Sequence, residues 1–183
     1  MKKLIFALIA AATAMSAAHA QTGYVGLGIT SVDHNYNVAG ATNGSADGYK
    51  ASGKIFGGID IDKMWGVEAG YTDFRSSSFN YTLGGSSAHV ESDGHAFYLA
   101  GKATAALNDQ FGVFGKLGIA QTKSTLSGSL SRSDSDTSGY GAIGAQYNLS
   151  KQVALSLEYE RYGKSRDFGA KPDAWTVAAR YNF

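Results

Sequence analysis

The sequence predicts an all-β fold, in which eight antiparallel strands close into an up-and-down barrel that crosses a membrane. Apolar and polar residues alternate with a period of two in eight separate segments. The connectors between these segments alternate between short and long. The charged residues of the segments share the face opposite the aliphatic side chains. Together, these three observations favour a transmembrane barrel over a water-soluble β-sandwich.

The eight segments have lengths close to the roughly 9–11 residues that a tilted strand needs to cross a bilayer. In chain order they are 24–31, 49–61, 65–74, 95–106, 111–122, 139–149, 153–162 and 174–183. In the last segment, Trp175 and Phe183 lie eight steps apart on one face. At about 3.3 Å per step and a tilt of roughly 40°, these steps span about 20 Å, which is a membrane-crossing height.

Each segment has one apolar face, because residues of the same parity point to the same side of a strand. In the first four segments that face carries Val25, Leu27 and Ile29; Ile55, Ile59 and Ile61; Trp65, Val67, Ala69 and Tyr71; and Phe97, Leu99, Ala103 and Ala105. In the last four it carries Val113, Leu117 and Ile119; Ile143, Ala145, Tyr147 and Leu149; Val153, Leu155, Leu157 and Tyr159; and Trp175, Val177, Ala179, Tyr181 and Phe183. We expect this face to touch lipid.

The connectors alternate in length along the chain. Short turns follow the second, fourth and sixth segments, and read DIDKM, LNDQ and NLSKQ. Long polar connectors follow the odd segments, and read DHNYNVAGATNGSADG, RSSSFNYTLGGSSAHVESDG, KSTLSGSLSRSDSDTS and GKSRDFGAKPDA. Short periplasmic turns and longer extracellular loops are typical of bacterial outer-membrane barrels. The sequence therefore predicts four extracellular loops.

The face of each segment that carries the charged residues is expected to point into the lumen. Placing Lys or Arg against hydrocarbon would cost roughly 2–4 kcal/mol near the membrane midplane. The predicted lumen charge network comprises Lys54, Glu68, Lys102, Lys116, Glu158, Glu160 and Arg180. Since an unpaired buried charge is strongly destabilising, we expect these residues to pair, with Glu68 bound to Lys102 or Lys116. Aromatic residues of the same face add to the filling, namely Phe56, Phe74, Tyr98, Phe114 and Tyr162. The lumen is therefore expected to be plugged.

The first 20 residues have the features of a secretory signal peptide. Lys2 and Lys3 precede an apolar run from Leu4 to about Met15, and Ala18-His19-Ala20 has the small-residue pattern of a cleavage site. We expect cleavage before Gln21 and a single barrel domain over 21–183. The formal net charge of +1 and the absence of a basic patch exclude nucleic acid as an expected partner. Export without a helical anchor places the expected barrel in the bacterial outer membrane, as a monomer.

Three stretches resemble the eight-stranded transmembrane domain of outer-membrane protein A and its small barrel relatives. They are FGGIDIDKMWGVEAGYTDF, LAGKATAALNDQFGVFGKLG and GAQYNLSKQVALSLEY, in the order and spacing of that family's strand–turn–strand units. The resemblance implies that Tyr181 and the terminal Phe183 form the signal read by the outer-membrane barrel assembly machinery. Because the chain stops at Phe183, we expect the family's optional peptidoglycan-binding domain to be absent. Because they lie on the apolar face, we also expect membrane-interface positions for Trp65, Tyr147, Tyr159 and Trp175.

The resemblance extends to the lumen, with one departure. Glu68 and Lys102 match positions of an interior charge network that has been linked to gating in the family. Gln146 and Ser156 stand where the family's pattern has an acidic and a basic partner. The family's switchable pair is therefore incomplete here.

A structural or surface-interacting role without catalysis is the function that these features favour. The long loops carry Tyr36, Phe79, Tyr81 and Phe168, which could dock a host or phage surface or lipopolysaccharide. A narrow ion channel and a lipid A-modifying enzyme remain the alternatives. The histidines show no Ser/His/acid pattern, and the stretch GYGAIG lacks the helix that a nucleotide-binding loop needs. We therefore expect no catalytic residue, cofactor or metal.

Overall fold

Nine β-strands make up most of the chain that the computed structural model describes, which is residues 22–36, 42–46, 50–83, 86–128, 132–163 and 168–183. The strands are β1 (Thr22–Tyr36), β2 (Thr42–Ala46), β3 (Lys50–Asp60), β4 (Trp65–Leu83), β5 (Ser86–Ala106), β6 (Phe111–Gly128), β7 (Arg132–Asn148), β8 (Val153–Tyr162) and β9 (Phe168–Asn182). The predicted signal peptide lies outside the described residues. Within the described ranges, no helix is long and apolar enough to cross a membrane.

The strands form a closed barrel with eight positions, as the sequence predicted. The sheet order is β2-β4-β3-β1-β9-β8-β7-β6-β5, and a β4–β5 pairing closes the ring. Strand β2 pairs with the far part of β4, whereas β3 pairs with its first part, so β2 and β3 occupy one position in succession. All pairings are antiparallel. Closure pairs the backbone around the barrel and removes the edge strands that an open sheet would expose.

Several strands are longer than the alternation pattern predicted. The predicted loop at 75–94 is mostly a hairpin, because β4 continues to Leu83 and β5 begins at Ser86. The predicted loop at 123–138 is likewise occupied by β6 and β7. The four aromatic residues assigned to loops lie on strands, namely Tyr36 on β1, Phe79 and Tyr81 on β4, and Phe168 on β9. These segments are rich in Ser and Thr. In β4 the apolar alternation is interrupted at 75–78 before it resumes at Phe79, Tyr81 and Leu83, so hydrophobic periodicity did not mark the whole strand.

The barrel is apolar outside and charged inside. Leu27 is 68% exposed and Leu117 is 79% exposed on the outer surface. Lys54, Glu160 and Tyr98 point inward and are at most 1% exposed. This distribution is the inverse of that in water-soluble proteins, where large aliphatic side chains concentrate inside and Lys and Glu remain outside.

Three short turns of common design join the strands at one end, which we name the turn end; the opposite end is the loop end. The side-chain oxygens of Asp62, Asn108 and Ser150 each accept hydrogen bonds from the backbone N–H groups two and three residues ahead, at 2.7–3.2 Å. These bonds satisfy donors that the tight turns leave without a ladder partner. The N–H groups of Trp65 and Met64 hold the pKa of the Asp62 carboxyl below its usual range.

Candidate functional site

Five charged side chains form a continuous chain of ion pairs across the middle of the lumen. Lys116 Nζ lies 2.7 Å from Glu68 Oε1 and 2.8 Å from Glu158 Oε2. Lys54 Nζ lies 3.2 Å from the same oxygen of Glu158 and also contacts Glu160 Oε1. All five side chains are at most 2% exposed. We name this group the ion-pair chain. Glu68 is thus paired with Lys116, one of the two partners that the sequence proposed.

Tyrosine hydroxyl groups complete the hydrogen bonding of the two terminal carboxylates. Glu68 accepts bonds from Tyr98 and, at 2.9 Å, from Tyr24. Glu160 accepts bonds from Tyr162 at 2.6 Å and from Tyr140 at 3.3 Å. Buried carboxylates that accept several hydrogen bonds can remain charged inside a protein, since the donors replace water.

A layer of aromatic rings lies against the ion-pair chain. The Tyr98 and Tyr140 rings are stacked with centroids 4.3 Å apart, and the Tyr162 ring lies 5.1 Å from that of Tyr140. Phe74 meets Tyr162 edge-on at 5.6 Å, and all four rings are at most 5% exposed. We name these four residues the tyrosine layer. Eight-stranded barrels have interiors just wide enough for side chains to fill, and here rings and ion pairs fill this one.

Glycines in the wall make room for the inward-pointing rings. Gly70 is the direct cross-strand partner of Tyr98, and a Cβ on Gly70 would lie 2.6 Å from Cζ of that ring. Gly144 is the partner of Phe114 in the same way, and its Cβ would lie 2.5 Å from that ring's Cζ. Gly144 ends the stretch GYGAIG, so the close approach agrees with the interpretation of this glycine as a thin position in the wall.

A second charged group lies nearer the turn end. Arg180 Nη1 is 3.4 Å from Asp60 Oδ2, and Lys102 Nζ is 3.8 Å from Asp60 Oδ1. Both cations lie over the ring of Tyr24, at 4.9 Å for Lys102 and 4.8 Å for the Arg180 guanidinium carbon. We name Asp60, Lys102 and Arg180 the turn-end triad. A vestibule of about 630 Å³ opens beside it at the turn end and is bordered by Gln146 and Arg180.

All seven residues of the predicted charge network point into the lumen, where six are at most 3% exposed and Arg180 is 13% exposed at its side chain. The prediction omitted Asp60, which gives the described interior four acidic and four basic side chains. It also omitted Tyr24 and Tyr140, which are 1% and 3% exposed. The alternation pattern could have identified these three residues, because each has the parity opposite the aliphatic residues of its strand.

The predicted interface aromatics lie on the outer surface. Trp65 and Trp175 are 57% and 53% exposed, and the Trp175 ring lies 5.2 Å from that of Tyr159. The Tyr147 ring lies 4.7 Å from that of Phe111.

The two residues proposed as an assembly signal also lie outside. Tyr181 and Phe183 are 49% and 63% exposed, with ring centroids 5.7 Å apart. The backbone N–H of Phe183 donates to the carbonyl of Gly23 at 2.9 Å, which ties the end of the chain to β1.

The arrangement holds equal numbers of acidic and basic side chains in contact with one another. Among the described side chains, no group of three His, Cys, Asp or Glu residues is placed to hold a metal ion. His95 is partly exposed on the outer face, where its ring lies 5.7 Å from that of Tyr71.

Comparison with known proteins places this geometry among bacterial outer-membrane proteins. Residues 4–183 match the family model described as the outer membrane protein beta-barrel domain. The chain is 27% identical over its whole length to outer membrane protein P5 of Haemophilus influenzae, of which it spans 57%.

Two solved structures share the fold at low sequence identity. OprG of Pseudomonas aeruginosa is similar with a TM-score of 0.62 at 15% identity, over 90% of this chain and 96% of that one. Ail of Yersinia pestis, an attachment invasion locus protein, is similar with a TM-score of 0.57 at 18% identity, over 89% and 97%. Ail has also been crystallised with the heparin analogue sucrose octasulfate.

Proposed function

The chain belongs to the outer membrane protein beta-barrel family and lies in the bacterial outer membrane, and from this premise we propose that it is a non-catalytic surface protein with a closed lumen. In this proposal the barrel is a rigid membrane anchor, and the strands that continue beyond it at the loop end make contacts outside the cell. The observation that carries the proposal is the lumen filling, in which the ion-pair chain and the tyrosine layer are almost inaccessible to solvent.

Closure of the lumen follows from pairing and from packing. A conducting pore commonly lines its constriction with charges of one sign, which attract the permeating ion. Here the described interior carries equal numbers of acidic and basic side chains, and Lys116 and Lys54 are each shared between two carboxylates. An ion passing through would have to displace these pairs and the stacked rings next to them.

Conductance measurements in planar bilayers test the closed lumen. The folded full chain is expected to show no steady openings. The double variant Glu160→Ala/Tyr162→Ala, which opens both the ion-pair chain and the tyrosine layer, is expected to admit ions. Leu117→Ala, on the outer face, is the matched control and is expected to stay silent. Steady single-channel openings of the unmodified protein would overturn the closed lumen and favour the narrow channel.

The surface role is supported by the length of strand β4 at the loop end. Strand β4 continues nine residues beyond Phe74 of the tyrosine layer before it ends at Leu83. At about 3.3 Å per residue and a tilt of roughly 40°, this extension projects about 23 Å beyond the filled part of the lumen. Hydrogen-bonded hairpins of this kind are suited to binding, because a paired backbone needs less ordering when a partner docks than an unstructured loop does.

Removal of one hairpin tests the surface role. Ser78 and Glu91 are cross-strand partners, so an Asn-Gly turn can join them in place of residues 79–90. We expect bacteria that display the shortened barrel to lose adhesion to immobilised heparin and to cultured epithelial cells. A matched variant shortens the other hairpin, joining Ser124 to Asp134. If bacteria displaying the full chain adhere no better than bacteria lacking it, the surface role is wrong.

Lipids and the assembly machinery are further proposed partners. We propose that Trp65, Tyr147, Tyr159 and Trp175 lie at the membrane interfaces, among phospholipid and lipopolysaccharide, where aromatic girdles are typical. We propose that exposed Tyr181 and Phe183 are read during insertion by the barrel assembly machinery, after which the barrel is a monomer. Mass analysis of lipid A with and without the protein tests the absence of catalysis. A new acylation or deacylation product would contradict it.

A further inference from the structure

The turn-end triad places two cations on one carboxylate. Arg180 and Lys102 share Asp60, and both also lie over the face of Tyr24. The ion-pair chain has the opposite imbalance, since its three carboxylates hold two lysines. The described interior is therefore neutral as a whole but carries one excess positive charge at the turn end.

The cations of the triad are incompletely satisfied by protein atoms. Arg180 Nε is buried and has no hydrogen-bond partner within the described residues. The contact of Lys102 with Asp60, at 3.8 Å, is too long for a hydrogen bond, although Lys102 is only 3% exposed. Buried polar groups in folded proteins are nearly always bonded, and an exception commonly marks a bound water or ion.

A small cavity lies beside these two cations. It has a volume of about 10 Å³, and its polar lining includes the side chains of Arg180, Lys102, Gln146 and Ser156. A volume of this size holds about one water molecule. Gln146 and Arg180 also border the vestibule, so the cavity adjoins the opening at the turn end, which faces the periplasm in this family.

Two carboxylates also line the cavity, and they oppose an anion there. Glu68 and Glu158 are both bound to Lys116, at 2.7 and 2.8 Å, and each accepts a hydroxyl hydrogen bond as well. Their charge is therefore largely compensated by these contacts. Arg180 and Lys102, by contrast, have donor capacity left for a ligand.

We propose that this cavity binds a chloride-sized monovalent anion that enters from the periplasm and is held by Arg180 and Lys102. The anion neutralises the excess positive charge of the turn-end triad and accepts the hydrogen bond from Arg180 Nε. The site is independent of the surface role, and it does not require a continuous pore.

Bromide soaking and chloride NMR test the site. Crystals of the full chain soaked in sodium bromide are expected to show an anomalous peak in the cavity. In solution, chloride-35 line broadening by the folded protein is expected to saturate and to be displaced by bromide. Arg180→Gln is expected to lose the saturable broadening, whereas Arg161→Gln, which changes an arginine on the outer face, is expected to retain it. Lys102→Met serves if Arg180→Gln fails to fold, as judged by its mobility on unboiled gels.

Three results would overturn the proposal. One is a water molecule in the cavity of bromide-soaked crystals, with no anomalous signal. Another is the absence of saturable broadening by the unmodified protein. The third is equal broadening by folded Arg180→Gln or Lys102→Met. None of these results bears on the conductance or adhesion experiments, so failure of the anion site is distinguishable from failure of the proposed function.

Discussion

Replacement of Lys116 by Met gives the sharpest test of the lumen. Lys116 joins Glu68 to Glu158, with contacts of 2.7 and 2.8 Å, and its side chain is 1% exposed. Methionine has a similar length and no charge, so Lys116→Met removes the charge with little change in packing volume. The variant therefore isolates the electrostatic role of this one ammonium group.

Lys116→Met is expected to lower the free energy of unfolding by about 3–5 kcal/mol, the range measured when one partner of a buried ion pair is removed. After the change, the described interior carries one excess negative charge instead of none. Glu68 keeps its two tyrosine hydroxyls, and Glu158 keeps Lys54 at 3.2 Å. Hydroxyl groups supply hydrogen bonds but no countercharge, so they offset only part of the loss.

Urea unfolding in lipid vesicles measures this loss, with fluorescence of the two tryptophans as the signal. Lys123→Met is the matched control, since Lys123 lies on the same strand but is exposed on the outer face. Adding Glu68→Gln to Lys116→Met is expected to recover part of the lost stability, because it restores neutrality. Surface substitutions usually change the free energy of unfolding by no more than about 0.5 kcal/mol. If Lys116→Met changes it by no more than that, the ion-pair chain does not stabilise the barrel.

Three further predictions concern the wall, a turn and the lipid face. Gly70→Ala is expected to lower the free energy of unfolding by about 1–3 kcal/mol, because the added Cβ overpacks against the Tyr98 ring. Gly53→Ala is expected to be tolerated, since a Cβ there meets nothing within 4 Å, and urea titrations compare the two variants. The turn hydrogen bonds lower the pKa of the Asp62 carboxyl. The charged carboxylate therefore contributes stability at pH values above its ordinary pKa of 3.8, and this contribution is lost as the pH falls through the lowered pKa. Asp62→Asn, which keeps the acceptor oxygen, is expected to lack this acid-dependent part in unfolding curves recorded from pH 7 to strongly acidic pH; an equal acid response of both proteins would contradict the assignment. Leu117→Arg is expected to destabilise the barrel in vesicles by roughly 2–4 kcal/mol, and Leu107→Arg in a turn by at most about 1 kcal/mol; equal effects would argue against a lipid-facing outer surface.

The fold could be predicted because the evidence for it is local. In an extended chain, alternate side chains point to opposite sides, so the parity of Leu117 and Lys116 separates an outer from an inner face before any strand pairing is known. Alternating connector length then indicates an up-and-down order of strands. Closure follows, because a strand within lipid must have a neighbour on both sides.

The strand ends were not predictable in the same way. Directly beyond Phe74 the chain reads RSSS, which interrupts the apolar alternation of the membrane-spanning segment and is typical of a loop. In the structure these residues continue the β4–β5 ladder of the membrane-spanning part as far as Leu83. Backbone pairing of this kind does not require a continuous apolar face.

The order of residues along the chain is enough to say which side chains enter the lumen and which meet lipid, since parity is a property of the extended backbone. Which charges pair depends on the folded barrel. Lys116 lies 48 positions from Glu68 and 42 from Glu158, and their contact depends on the register and curvature of a closed sheet. Register also placed Asp60 between Lys102 and Arg180 and left Arg180 Nε without a protein partner. Those outcomes are set by geometry across the barrel, which no local pattern records.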